Sequence, residues 1–228
     1  MDKRESVKVI EYIKQGIRTG ELTCGAKLPT ERQMAAELQM SRPSVRETLR
    51  SLEHMGLLES RQGSGNYLTA GIGKSLAQSL ELILMMDANM YMDISQTRRA
   101  IEVYAFRLAV TRVTSEQLEY LHGLLAKMDT KQIADAVFAD RQFHDMIVET
   151  SGNHLMMQLI QALATACEAG IELVLTRGSR QKREELFKLH TEIVDCLEKK
   201  ELERGIRAIE KHYDLIDEIE QELSKKFN

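Results

Sequence analysis

Asp140 and His144 stand four residues apart in the stretch DRQFH, and both fall where a helix would carry apolar side chains. Ile133, Val137, Asp140, His144 and Ile147 follow at steps of four, three, four and three, one stripe of an α-helix. Two later stripes repeat the intrusion. His190 interrupts Leu186, Ile193 and Leu197, and His212 interrupts Ile209, Ile216 and Ile219. A carboxylate and neutral imidazoles at core-facing positions are the ligands that Zn²⁺ or a similar divalent ion takes. The separation of 22 residues between His190 and His212 suits one imidazole on each arm of a helical hairpin. A single histidine on an apolar face is nevertheless more often hydrogen-bonded in a core than bound to metal. His122, beside Leu118 and Leu125, passes the same test of periodicity. Asp140 with His144 would also serve as a buried hydrogen-bonded pair, and His54 and His154 read as helix-end residues.

Arg98 lies between Ile94 and Ile101 on a stripe that continues through Ala105 and Leu108. A guanidinium facing a core needs an anion. Either Glu102, one helical turn on, supplies it, or a bound ligand does. Asn153 reads as a helix N-cap or as a donor in the same pocket.

A second constellation lies near the start. Arg42, Arg46 and Arg50 form a row at steps of four on a segment whose opposite face carries Val45, Leu49 and Leu52. Arginines along one helix face can bond phosphates or the acceptor edge of guanine in a major groove. The alternative is an ordinary solvated face.

The elements that position these groups follow from local signals. Val9, Ile10, Ile13 and Ile17 make a first amphipathic helix that Gly20 ends. In KLPTERQMAAEL, Thr30 and Gln33 form a capping box, with Met34, Ala35 and Leu38 as the buried face. Ser41 caps the arginine helix and Gly56 stops it. LLESRQGSGNYL then reads as two short strands around a glycine-bearing tip. Together these give a winged helix-turn-helix over residues 1–70, with TAGIGK (69–74) as the linker. Beyond it there is no proline. Helical periodicity recurs over 75–87, 93–112, 115–128, 131–150, 154–176, 180–198 and 201–225. Residues 71–228 are thus expected to form an all-α antiparallel bundle of six or seven helices, so the fold class is mainly α.

Composition narrows the setting. With 43% hydrophobic and 29% charged residues, the chain has the balance of a soluble globular protein. No run approaches the roughly 20 apolar residues of a membrane span, and no secretory core opens the chain, so a cytoplasmic location without membrane contact is expected. Cys24, Cys167 and Cys196 are odd in number and widely spaced, which indicates neither a disulfide framework nor a cysteine zinc site. Residues 1–70 hold 11 Lys and Arg against 9 Asp and Glu, whereas the remainder holds 20 against 26. A slightly basic head on an acidic body is compatible with a nucleic-acid partner.

The run GAKLPTERQMAAELQMSRPSVRETLRSLEHMGLLESRQGSGNYL resembles the winged helix of the GntR family of bacterial transcription regulators. That resemblance implies DNA contacts by Arg32, Arg42 and Arg46, with Ser44 near the backbone and Gly65 in a wing that enters the minor groove. Arg50 falls outside that contact set, and Gln39-Met40 stands where the family has a glycine or similar small residue. DRQFHDMIVETSGN followed by His190 and His212 is similar to the FCD effector domain of the FadR-type branch. The resemblance implies a divalent metal on Asp140, His144, His190 and His212, with Zn²⁺ expected and Ni²⁺ or Mn²⁺ as alternatives. Leu189 replaces an acidic residue that usually precedes the third ligand. The pattern R-x-x-I-E at Arg98–Glu102 implies an effector pocket in which Arg98 holds a carboxylate, with Asn153 near it.

The expected function is therefore a transcription regulator, a repressor relieved by a small organic acid, binding a pseudo-palindromic operator as a homodimer. The alternative is a metalloenzyme using the Asp/His site. Against it, HExxH is absent and no general base stands beside the ligands.

Overall fold

The computed structural model describes residues 3–69, 71, 73–86, 90–130 and 132–227. They form two compact units, divided between Leu76 and Ala77. Ala70 and Ile72 of the expected linker lie outside the described residues, as do Asp87 and Lys131 at the edges of two expected helices.

In the first unit, α1 (Lys3–Thr19), α2 (Glu31–Glu37) and α3 (Arg42–His54) precede strands β1 (Leu58–Arg61) and β2 (Gly65–Leu68). The strands pair antiparallel, Leu58 opposite Leu68 and Arg61 opposite Gly65. The capping box at Thr30 and Gln33 is present, and the Ser41 side chain accepts from the Ser44 amide. Val9, Met34 and Val45 are fully buried and join α1, α2 and α3 in one core. Ile17, expected on that face, is half exposed instead. The chain turns back so that the Leu22 amide donates to the Gly16 carbonyl at 2.9 Å. A Cβ on Gly16 would lie 2.6 Å from the Leu22 side chain, so the glycine admits leucine where Ile17 was expected.

Between α2 and α3 the chain turns at Gln39, whose φ is +52°, a left-handed conformation adopted here without glycine. The Met40 amide closes the turn onto the Ala35 carbonyl at 2.9 Å. Gln39→Gly is expected to relieve the Cβ strain and stabilise the first unit by about 1 kcal/mol. Urea unfolding of the full chain, followed by a probe in the first unit, measures this; an unchanged or lower midpoint would contradict it.

The described helices from α4 onward number seven: α4 (Gly73–Met86), α5 (Met90–Ala109), α6 (Ser115–Met128), α7 (Ile133–Thr150), α8 (His154–Arg177), α9 (Arg180–Lys199) and α10 (Leu202–Phe227). α5 stops earlier than its periodicity suggests, because Thr114 caps α6 with a second capping box. Lys200, at φ +57°, ends α9 in the left-handed region. α7 packs on α6 and α8, α9 on α10, and α5 on α7, α8 and α10. Phe106, Leu121, Phe143, Ile193 and Ile209 fill the common core. Gly205 lets α10 close on α5, since a Cβ there would lie 2.1 Å from the Phe106 ring.

Candidate metal centre and DNA-reading helix

Three helices bring the four polar residues together. α7 supplies Asp140 and His144, α9 supplies His190 and α10 supplies His212. One potential ligand atom from each lies within 4.8 Å of all the others, and the three histidines are buried. His190 Nε2 is 3.2 Å from His144 Nε2 and 3.3 Å from Asp140 Oδ1. Donors about 2.05 Å from a tetrahedral ion stand roughly 3.3 Å apart, so these separations match a shared ion. His212 Nδ1 is buried with no hydrogen-bond partner. A buried ring nitrogen without a partner is costly in a purely structural cluster.

Burial sets the protonation states. It pushes His190 down to about 4, and desolvation together with the neighbouring His190 and His144 holds His212 well below the ordinary histidine range. Both rings are thus neutral near pH 7, as ligation requires. Burial would depress His144 too, but the Glu102 carboxylate outweighs it and raises this ring. Glu102 Oε2 lies 2.6 Å from His144 Nδ1, while its Oε1 accepts from the Tyr213 hydroxyl at 2.7 Å. With Nδ1–H donating to Glu102, the Nε2 lone pair of His144 faces Asp140 and His190. The cluster is compatible with a divalent metal.

Sequence reasoning treated Glu102 only as a possible partner of Arg98. The pair exists, with Arg98 Nη2 3.1 Å from Glu102 Oε1, but both residues are buried rather than on the surface. Glu102 and Phe106, both fully buried, carry the inner face of α5, whereas Ile101 and Leu108 are only partly buried. A carboxylate one turn from a core-facing arginine was the available signal. His122 is exposed, because the inner face of α6 runs through Leu121, Leu124 and Leu125.

A cavity of about 670 Å³ opens beside the cluster. Asp140, His190, His212, Arg98 and Tyr213 all line it. Arg98 Nε is buried without a partner, so Glu102 does not use all of its donors. Asn153 is the N-cap of α8, its Oδ1 accepting from the Met156 amide at 3.2 Å, and it is not among the residues lining this cavity. That geometry supports the cap and lends nothing to a pocket role.

In the first unit, Arg32, Arg42, Arg46 and Arg50 are all exposed. Ser44 lies in the first turn of α3, its hydroxyl 2.8 Å from that of Ser41, and Gly65 opens β2 with φ +120°. Arg46 is not a free finger. Its Nε and Nη2 make a two-pronged pair with Glu31 of α2 at 2.8–3.0 Å. The hydrogen bond from Arg46 in turn holds the Glu31 carboxyl below its usual range.

A winged helix-turn-helix and a helical unit with a buried Asp/His cluster define a DNA-binding regulator with an effector domain. Known proteins agree. Residues 5–68 match the bacterial regulatory proteins of the gntR family, and residues 93–215 match the FCD domain. The chain is 32% identical over 152 residues to the HTH-type transcriptional regulator LutR of Bacillus subtilis, spanning 65% of this chain and 69% of that protein. It is 28% identical over 234 residues to the HTH-type transcriptional repressor NanR of Cronobacter sakazakii, spanning 98% and 88%. The solved structure of Streptococcus agalactiae GntR superposes with a TM-score of 0.68 at 25% identity, covering 93% of this chain and 98% of that one. The chain belongs to the GntR family of bacterial regulatory proteins, in the branch that carries an FCD domain. It is a transcription regulator and not the metalloenzyme of the alternative reading. No described helix is long and apolar enough to cross a membrane.

Proposed function

We propose that this regulator binds a pseudo-palindromic operator as a homodimer, and that a carboxylate metabolite held beside a divalent metal changes that binding, most simply by relieving repression. The observation that carries the reading is the cluster of Asp140, His144, His190 and His212, of which Asp140, His190 and His212 line the same cavity as Arg98. The ion, with Zn²⁺ favoured and Ni²⁺ or Mn²⁺ as alternatives, would supply positive charge against which a carboxylate can rest. Asp140 and Glu102 together offset a divalent charge, and with neutral imidazoles the Arg98 guanidinium then leaves one positive charge for an anion. Two heads suit two half-sites, which makes a dimer the economical assembly.

Operator titration, with and without Zn²⁺ and a panel of organic acids, tests the regulatory reading. An acid should shift operator affinity only in metal-loaded protein, and Arg98→Lys should blunt that shift while sparing affinity without acid. A response unaffected by chelator would overturn the coupling of metal to effector.

For the head, Arg42→Ala is expected to weaken operator binding by about 1–3 kcal/mol while leaving non-specific DNA affinity much less affected. Arg46→Ala should cost more, because it also leaves the Glu31 carboxylate facing phosphates without its partner. Fluorescence titration of operator and scrambled duplexes at fixed salt checks both. Equal discrimination in wild type and variants would remove α3 from the role of recognition helix.

A further inference from the structure

The wing is wider than its hairpin. The segment 26–28 pairs antiparallel along the edge of β2 that β1 leaves open, with Lys27 opposite Tyr67. The Leu28 amide donates to the Asn66 carbonyl at 2.8 Å, and the Leu68 amide to the Ala26 carbonyl at 2.9 Å. Residues directly opposite each other in a sheet share a face, and faces alternate along each strand. Leu28, Leu58 and Leu68 are buried in the core of the first unit. Lys27, Glu59, Arg61, Gly65 and Tyr67 therefore share the outer face.

On that face the Arg61 guanidinium lies 4.3 Å over the Tyr67 ring and pairs with Glu59 at 2.8 Å. The Tyr67 hydroxyl reaches the hairpin tip, 2.6 Å from the Ser64 hydroxyl. Lys27 leans toward the same tip, over Gly65. A Cβ on that glycine would lie 3.1 Å from Lys27 Cε and 3.9 Å from its Nζ. Glycine at 65 thus serves twice, by adopting φ +120° and by clearing the path of the lysine. Glu59 balances Arg61, whereas Lys27 is exposed and has no ion-pair partner among the described residues. These side chains leave one uncompensated positive charge, the Lys27 ammonium beside Gly65.

We propose that Lys27 is a DNA contact, its ammonium seating a backbone phosphate at the edge of the groove that the wing enters. This rests on the operator reading above and adds to it a residue outside both the arginine helix and the hairpin. A minor groove is only about 6 Å wide, so a hairpin that enters it brings its faces against the phosphates on either side. An ammonium is a compact point charge that suits a phosphate, and phosphate contacts carry no sequence information. Lys27 accordingly adds affinity for any duplex and no preference among duplexes. Its neighbours hold the seat in place: Tyr67 ties down the tip through Ser64, and Gly65 leaves room for the lysine stem.

The test is the salt dependence of DNA binding by the full chain. Its probes are a duplex that the wild type selects from a random pool and a scrambled duplex of equal length. Lys27→Gln keeps most of the side chain and removes the charge. For each head bound, the slope of log affinity against log salt should become shallower by about 0.9. Affinity at about 0.1 M salt should fall about eightfold per head, on both duplexes alike. Ethylation interference on the selected duplex should lose one phosphate per half-site. Lys27→Arg should restore slope and affinity. Lys14→Gln removes an equal charge from a lysine of α1 that pairs with Glu11 at 2.7 Å, and it should change neither. An unchanged slope in Lys27→Gln, or an equal change in Lys14→Gln, would overturn the phosphate seat while leaving α3 as the reader. A loss confined to the selected duplex would also overturn it, since that marks a base contact. A wild type that selects no sequence would overturn the operator reading, and the seat with it.

Discussion

Glu102→Ala is expected to destabilise the C-terminal unit by about 3–5 kcal/mol, the range for breaking a buried charge pair from one side. The carboxylate is fully buried and serves three partners: Arg98, His144 Nδ1 and the Tyr213 hydroxyl. Desolvation alone would raise its pKa, yet His144 and Arg98 bring it to about 2, so it is ionised throughout the ordinary pH range. Alanine strands a buried guanidinium and two hydrogen-bond donors. Glu102→Gln separates stability from ligation. A glutamine keeps the volume and can still accept from Tyr213, but its amide donates to His144 Nδ1. The proton then moves to Nε2, the nitrogen that faces Asp140 and His190. Metal affinity is therefore expected to fall by about 10–100-fold in a protein that still folds. Zinc competition titration with a chromophoric chelator measures this, beside urea unfolding. Unchanged affinity in Glu102→Gln would show that His144 is not a ligand through Nε2.

Metal removal and acid are expected to act on the same unit. Restoring Zn²⁺ at 100 times its dissociation constant should return about 2.7 kcal/mol, and His190→Ala should abolish that gain. Without metal, His190 protonates in the folded state only near pH 4, against an ordinary value of 6.5. The unfolded chain therefore takes up a proton first as pH falls. The stability due to a neutral His190 is full above about 6.5 and is lost progressively toward 4, about 3 kcal/mol in all. His212 is depressed in the same direction and adds to the loss. His144 is raised, so its contribution has the opposite sign: it is present below 6.5 and fades as pH rises through its folded value. Melting curves between pH 4 and 8, with and without chelator, are expected to diverge above pH 6.5 and converge in acid. Coincident curves across the range would mean that the cluster takes up no metal.

The two halves of the site differ in how openly the sequence displays them. Asp140, His144, His190 and His212 are legible because each interrupts a run of apolar residues at helical spacing, and the structure brings all four together. His122 met the same criterion and lies in solvent. Periodicity identifies residues that share a face, but a rotation of one residue, about 100°, separates His122 from Leu121, and the edge of the buried face falls between them. Glu102 was missed as the partner of His144 for a related reason. The two are 42 positions apart, and nothing local reports which carboxylate will meet a given imidazole.

By itself the sequence determined what depends on neighbours along the chain: helix starts at Thr30, Ser41 and Asn153, the antiparallel wing around its glycines, the helical body and the polar residues placed inside it. These are fixed by capping, backbone freedom and spacing, interactions that span a few residues. Tertiary structure alone decided what depends on packing between distant segments. It admitted Leu22 where Ile17 was expected, tied Arg46 to Glu31 across two helices, and set Glu102 between Arg98, His144 and Tyr213. It also left a cavity beside the Asp/His cluster, because a void is the space that several helices fail to fill and has no residue pattern of its own.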